Sequence, residues 1–291
     1  MTTRRNTLAA LAALPLAAKP FTRPIGLNLY TVRTPLASQP AATYKGIKAA
    51  GVELLEVRSV QLLQHAAMIA DAGLKPVHLF IDSAIITGAW DEWDAFMRAR
   101  GGPASSGRPS LESMIELAQK HRIQRIGTSM LLPKEREAPF EAYNRAAELC
   151  AKGGVELYYH NHAFEFAGAK GARFIDKLHS QLDKRIRLEL DVFWAAITGT
   201  SPVDILSQWK GRVKSLHLKD LAPNTPPPTS EAAVKPDMFR EIGAGTLDFK
   251  AILNAAAKAG VEHYLIELDY SPGDPLVSVA NCVKALRALS L

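Results

Sequence analysis

Cysteine is scarce in this 291-residue chain: only Cys150 and Cys282 occur, in two different helix-like stretches. Nothing in their placement supports a disulfide, and no cysteine cluster is present to hold a structural zinc. Charge of one sign is also lacking. The formal net charge is +6, but Arg4, Arg5 and Lys19 precede any acid, the first being Glu53. Without those three cations, 32 Lys+Arg face 29 Asp+Glu, an excess too small and too scattered to argue for nucleic acid or a membrane surface. Long apolar runs are missing as well. Leu8 to Ala18 is an apolar stretch of 11 residues, too short to cross a bilayer, so no membrane association is expected of the mature protein. A glycine-rich phosphate turn is absent after the first strand-like run, where Asn28-Leu29-Tyr30-Thr31 stands instead. That argues against a doubly wound nucleotide-binding sheet.

What remains is an ordinary globular composition, 47% apolar and 22% charged, enough for one large domain. Residues 1–20 form a leader: a charged start, Thr3-Arg4-Arg5-Asn6-Thr7-Leu8, followed by the short apolar stretch. It resembles a twin-arginine signal, with Thr7 where Phe is more usual. The expectation is export of a folded, cofactor-loaded protein to the periplasm, with residues 21–291 as a single domain.

From residue 25 onward, strand-like and helix-like runs alternate. The strands are expected at Ile25–Tyr30, Val52–Arg58, Leu74–Phe80, Ile123–Thr128, Val155–His160, Ile186–Asp191, Val213–Leu218 and Tyr264–Leu268. Amphipathic stretches lie between them, and four end in Gly directly before a strand: Gly51, Gly73, Gly153-Gly154 and Gly260. Eight β-α units in about 270 residues is the size of a (β/α)8 TIM barrel. Two connections are long. One runs from Ile81 to Pro109 and carries Trp90, Trp93 and Phe96; the other runs from Leu221 to Gly245 and carries Pro226-Pro227-Pro228. Both follow strands and would overhang the barrel mouth. The tryptophans suit either sugar stacking or the buried face of a short loop helix, whose spacing they have.

Four apolar runs in the C-terminal half end abruptly in chemistry-bearing residues: Tyr-Tyr-His-Asn-His (158–162), Leu-Glu-Leu-Asp (188–191), Leu-His-Leu-Lys-Asp (216–220) and Leu-Ile-Glu-Leu-Asp (265–269). A parallel barrel gathers such strand ends at one mouth. Asp191, His217 and Glu267 on strands 6, 7 and 8 favour a shared divalent cation over separate ion pairs, because unpaired buried charge is costly. A His with two carboxylates suits Mn, Zn, Co, Fe or Mg. Strand 5 offers His160 and His162 on one face, with Glu165 close behind. Lys219 shares the face of His217 and is expected to hold an oxyanion or to pair with Asp191 or Asp220. Glu56 and His78, at the ends of strands 2 and 3, are expected to line a substrate pocket or to support it from behind, and Trp194 is a further candidate for substrate contact.

The ordered set Tyr-His-Asn-His-Ala-Phe-Glu-Phe (159–166), Glu-Leu-Asp-Val-Phe-Trp-Ala-Ala (189–196), His-Leu-Lys-Asp (217–220), Gly-Ala-Gly-Thr-Leu-Asp-Phe-Lys (243–250) and Glu-Leu-Asp (267–269) resembles the sugar phosphate isomerase/epimerase family. This is part of the xylose isomerase-like barrel superfamily, which also holds inosose dehydratases, ketose 3-epimerases and apurinic-site endonucleases. The resemblance, over residues 25–290, implies one divalent metal ligated by Asp191, His217 and Glu267. The epimerases place a Glu on strand 5; here His160 stands at the equivalent place and Glu165 is displaced along the loop. Ala244 replaces a Glu that relatives carry between the two glycines. The implied chemistry is deprotonation beside a carbonyl of a small carbohydrate, by isomerisation or epimerisation, or alternatively by dehydration. Glu267, His162 and Glu165 are the candidate bases. A multi-zinc nuclease would need a His three residues past Asp191, where Trp194 stands. A periplasmic sugar-binding barrel without activity is the non-enzymatic alternative, and a homo-oligomer is compatible with any of these.

Overall fold

A computed structural model describes residues 19–101, 107–228 and 230–291. The arginine pair and apolar stretch of the expected leader fall in residues 1–18, outside the described residues. Lys19 and Pro20 pair with the opposite terminus, Lys19 exchanging backbone hydrogen bonds with Leu291 and Pro20 bridging Ser290.

Eight parallel strands close into a barrel: β1 (Ile25–Asn28), β2 (Leu54–Arg58), β3 (Lys75–Ile81), β4 (Arg125–Ser129), β5 (Glu156–His160), β6 (Arg187–Asp191), β7 (Val213–Leu218) and β8 (His263–Ile266). Each pairs with its successor, and β8 closes on β1. The expected (β/α)8 architecture is the one observed. β1 ends two residues early because the Asn28 side chain accepts from Tyr30 N and turns the chain into a 3-10 helix. β8 also stops short, so Glu267 stands just past its end.

Outward-facing residues such as Leu188, Leu190, Leu216 and Ile266 join the helices in one continuous apolar core. The inner face differs. Barrel axes are commonly filled by branched aliphatic residues, yet here Glu56, His78, Tyr158, Glu189 and His217 are buried within it. Tyr158 reaches across because its register partner is Gly127, where any Cβ would collide with the Tyr158 ring.

The tryptophan connection folds into a helix, Trp90–Ala99. Trp93 is buried against Ala84 and Leu132, with Trp90, Phe96 and Met97 packed around it. It serves as the buried face of a loop helix and not as a stacking platform. The second long connection is anchored at both ends. Asp220–Leu221 pairs antiparallel with Phe239–Arg240. The Asp220 carboxylate accepts from the backbone N–H groups of Leu221, Gly243, Gly245 and Leu247 at 2.8–3.0 Å. Gly245 is required there, since a Cβ would press into that carboxylate.

Replacing Asp220 by Ala strips four backbone donors of their acceptor. The expected loss is about 2 kcal/mol or more, measured as a lower denaturant midpoint; an unchanged midpoint would show that the loop does not depend on this carboxylate.

Candidate metal centre

Strand register brings the polar tips together. Asp191 is level with His217, His217 with Leu265, and His160 with Glu189. Side chains at i and i+2 share a face, so Tyr158 and His160, Glu189 and Asp191, His217 and Lys219, and Glu267 and Asp269 all turn toward the axis. One ligand atom each from His160, Asp191, His217 and Glu267 lies within 4.8 Å of the others, and all four residues are buried.

Two of the donors, on Asp191 and His160, are left free for a cation. Asp191 Oδ1 accepts from Trp194 N at 2.9 Å, capping the helix Val192–Ile197, while Oδ2 has no hydrogen-bond partner. Lys219 Nζ stands 3.0 Å from that oxygen, close enough for an ion pair but outside hydrogen-bonding geometry. His160 Nδ1 is likewise buried without a hydrogen-bond partner. His217 directs Nδ1 at Glu267 Oε2, 3.0 Å away, and Nε2 at Glu56 Oε2, 2.8 Å away. Asn161, on the opposite face of the strand end from His160, ties the two strands by accepting from Asp191 N at 3.1 Å. Ligands about 2.1 Å from one ion stand up to roughly 4 Å apart, so these residues fit a divalent ion with small side-chain movement.

Burial works against charge on His217, but Glu189, Glu267 and Glu56 hold its pKa well above the ordinary value. A metal ligand must be deprotonated, so ion uptake displaces a proton and weakens at low pH. Burial also opposes ionisation of Glu267, yet Lys219 and His217 keep its carboxyl well below the usual range. Burial raises Asp191, and Lys219 opposes the rise.

Lys219 is fully buried and ion-paired. Its Nζ lies 2.5 Å from Glu267, 2.6 Å from Asp269 and 3.0 Å from Asp191. The expected alternative partner, Asp220, faces out of the barrel to its four amides. His162 packs its ring on Trp194, with centroids 5.4 Å apart, and on His160, at 5.1 Å. Burial, with His160 and Lys219 adding to it, holds His162 neutral. Its Nδ1 and the Trp194 Nε1 are buried without partners.

Glu165 stands elsewhere, and Glu56 and His78 take the second of their two expected places, behind the site. Glu56 and His78 lie in the barrel interior beneath the quartet, Glu56 Oε2 2.8 Å from His217 Nε2 and His78 Nδ1 3.1 Å from Glu189 Oε1, and support the site from behind. The barrel stagger sinks β2 and β3 below the ends of β5 to β8. Glu165 is not brought to the quartet. It accepts from Tyr159 Oη at 2.6 Å and His162 N at 2.9 Å, on the side of β5 away from His160. Burial pushes its carboxyl up to about 8. Glu189 and Asp269 were missed by sequence reasoning. Each lies two residues from a named ligand on the same strand end, and that spacing was the available signal.

The pattern of known relatives fits this geometry. The sequence model of the xylose isomerase-like TIM barrel matches residues 104–286. The chain belongs to the xylose isomerase-like TIM barrel family. An inosose dehydratase of Clostridium botulinum (strain Alaska E43 / Type E3) is 30% identical over 146 residues, 47% of this chain and 47% of its own length. The chain thus spans about half the length of that curated relative. A sugar phosphate isomerase/epimerase from Parabacteroides distasonis superposes with a TM-score of 0.69 at 19% identity, covering 97% of this chain and 98% of that one. The IOLI protein, solved with a bound zinc atom, superposes with a TM-score of 0.61 at 13% identity, covering 90% of this chain and 96% of that one. At these identities the two structures share the fold.

Asp191→Ala and His217→Ala should each lose stoichiometric metal while keeping the barrel's circular dichroism; retention of one ion per chain by either variant would break the assignment. The Glu165 carboxyl yields a second test. Its folded pKa is raised above the unfolded value, so its stabilising contribution is whole below pH about 4.5 and is lost as pH rises through about 8. Wild-type Tm should fall relative to Glu165→Gln across that window, since Gln can donate to Tyr159 Oη and accept from His162 N at any pH. Parallel Tm profiles for the two proteins would contradict this.

Proposed function

We propose that this protein is a divalent-cation-dependent dehydratase that removes the proton beside the carbonyl of an unphosphorylated keto-cyclitol or keto-sugar and expels water from the neighbouring carbon. The observation that carries the reading is the single glutamate at the quartet. Epimerisation through a pair of glutamates needs a second one, and Glu165 faces Tyr159 and the His162 amide instead. An ammonium beside the remaining glutamate suits elimination. The name of the Clostridium botulinum relative supports the reaction class, and the zinc in the IOLI structure supports the cation. We also propose, from the Arg4-Arg5 segment, that the protein is exported, a location that suits an unphosphorylated substrate.

When bound, the cation supplies Lewis-acid polarisation of the substrate's adjacent carbonyl and hydroxyl oxygens. Glu267, held ionised, accepts the C–H proton. Lys219, 2.5 Å from Glu267, gives a proton to the departing hydroxyl, which leaves as water, and recovers one from Glu267, closing the cycle. His162 and Trp194 wall the site and present the unpartnered Nδ1 and Nε1–H to substrate hydroxyls. Burial of Lys219, Asp191 and His217 keeps bulk water from competing for these contacts.

One observation favours isomerisation or epimerisation as a second reading. His162 is neutral with a free Nδ1, so it has the chemistry of a second base. Incubating the metal-loaded protein with a keto-inositol in deuterated water separates the two. The dehydratase reading expects a diketone product that carries solvent deuterium at the carbon that lost its hydroxyl. It further expects Glu267→Gln to lose about 10²–10⁴-fold in rate, more than it loses in metal affinity. An epimerised, still saturated product establishes the second reading, and stoichiometric metal with no turnover of any keto-sugar or keto-cyclitol establishes a binding protein.

A further inference from the structure

Beneath the quartet, the barrel axis holds a column of polar groups that the proposed reaction does not use. It begins at the floor with Arg125, which is 3% exposed. Arg125 Nε donates to Glu156 at 2.8 Å, Nη2 donates to Glu262, and Nη1 points at His263 Nδ1, 3.1 Å away. His263 Nδ1 is also 2.9 Å from His78 Nε2. His78 Nδ1 faces Glu189 Oε1 at 3.1 Å and Glu56 Oε1 at 3.4 Å. Glu189 Oε2 lies 3.2 Å from His217 Nε2 and 3.4 Å from His160 Nδ1.

We infer that the hydrogen-bond directions imposed from the barrel floor hold His78 as a doubly protonated imidazolium, and that this buried cation, not a second metal ion, balances Glu56 and Glu189 and so positions His217 and His160 for the ion above. The inference rests on the metal-centre reading of the quartet.

A guanidinium can only donate, so His263 Nδ1 must be a bare acceptor and His263 is neutral. His78 Nε2, sharing that acceptor, must then carry a proton. His78 Nδ1 meets only carboxylate oxygens, so it carries one too. The charged and titratable groups facing His78 are Glu56 on β2, Arg125 through His263 on β4 and β8, Tyr158 on β5 and Glu189 on β6. Burial lowers the His78 pKa, but its hydrogen bonds to Glu189 and Glu56 more than offset this and raise it; His263 is pushed down to about 3 by burial, His78 and Arg125.

The stoichiometric consequence is specific. Glu56, Glu189 and His217 offer donor atoms as close together as those of the quartet, so geometry alone would admit a second ion there. His78 already presents a cation to both carboxylates, and a dication beside it would meet direct repulsion. Glu56 also receives Asn28 Nδ2 and Tyr158 Oη, each at 2.5 Å, and has little capacity left. One ion per chain follows.

The experiment uses the full chain labelled with ¹⁵N-histidine, with and without zinc, at pH 7.5. The His78 ring should show two nitrogen-bound protons in both forms, and zinc titration should saturate at one ion. His263→Gln keeps an acceptor for Arg125 and His78 and should preserve both results. His263→Leu removes it and should abolish the second His78 proton and weaken zinc binding about 10–100-fold. A singly protonated His78 in the wild type, two tightly held zinc ions, or indistinguishable Gln and Leu variants would each overturn the inference. Should the Leu variant fail to fold, the wild-type spectrum and stoichiometry still decide. None of these readouts needs turnover, so failure of the dehydratase reading leaves a separate mark.

Discussion

The structure depends on how one closed barrel tolerates carboxylates on its axis. Glu56, Glu189, Asp191 and Glu267 are all buried, and each would be strongly unfavourable alone. The barrel answers with cations at fixed heights. Arg125 stands at the floor, His78 in the middle, and Lys219 at the mouth beside Asp191, Glu267 and Asp269. Within this ladder the quartet keeps two donor atoms, His160 Nδ1 and Asp191 Oδ2, outside any hydrogen bond. They are the groups through which the proposed divalent ion would complete the balance.

Packing and chemistry are therefore linked. Outward residues of β5 to β8 seal against the helices in the apolar core, which fixes the strand ends to which the ligands are attached. Asp191 is held twice over, by its helix cap and by Asn161. His217 is held at both ring nitrogens. Such double restraint sets ligand orientation before any ion arrives. The long β7 connection is anchored on Asp220, which brings Phe239 to stack on Phe193 at 4.3 Å and to meet Trp194 edge-on. The wall of the site is thus built from a loop that a single carboxylate ties down.

Much of this was legible in the sequence. The eight-fold alternation is local, and Gly51, Gly73, Gly154 and Gly260 mark helix ends with positive φ, so the barrel could be read directly. Asp191, His217 and Glu267 could be read because a charged or imidazole group closing an apolar strand is costly to bury without a counter-charge or an ion. Depth along the axis could not. Glu56 and His78 look like strand-end residues, but the stagger between neighbouring strands places them below the mouth, and stagger arises from closure of the whole sheet. The direction of Glu165 was equally hidden, because it is set by the 3-10 turn Phe164–Phe166 that returns its carboxylate to His162 N. Trp93 reads the same as a sugar platform or a core residue until Ala84 and Leu132 are seen against it.

The measurement that bears most directly on the central claim is anomalous diffraction from a crystal of the full chain soaked in zinc. The account predicts one peak, about 2.0–2.3 Å from donor atoms of His160, Asp191, His217 and Glu267, with no second peak between Glu56 and Glu189. A peak bound elsewhere, or a quartet that stays closed on Lys219 with no ion at saturating zinc, would contradict it.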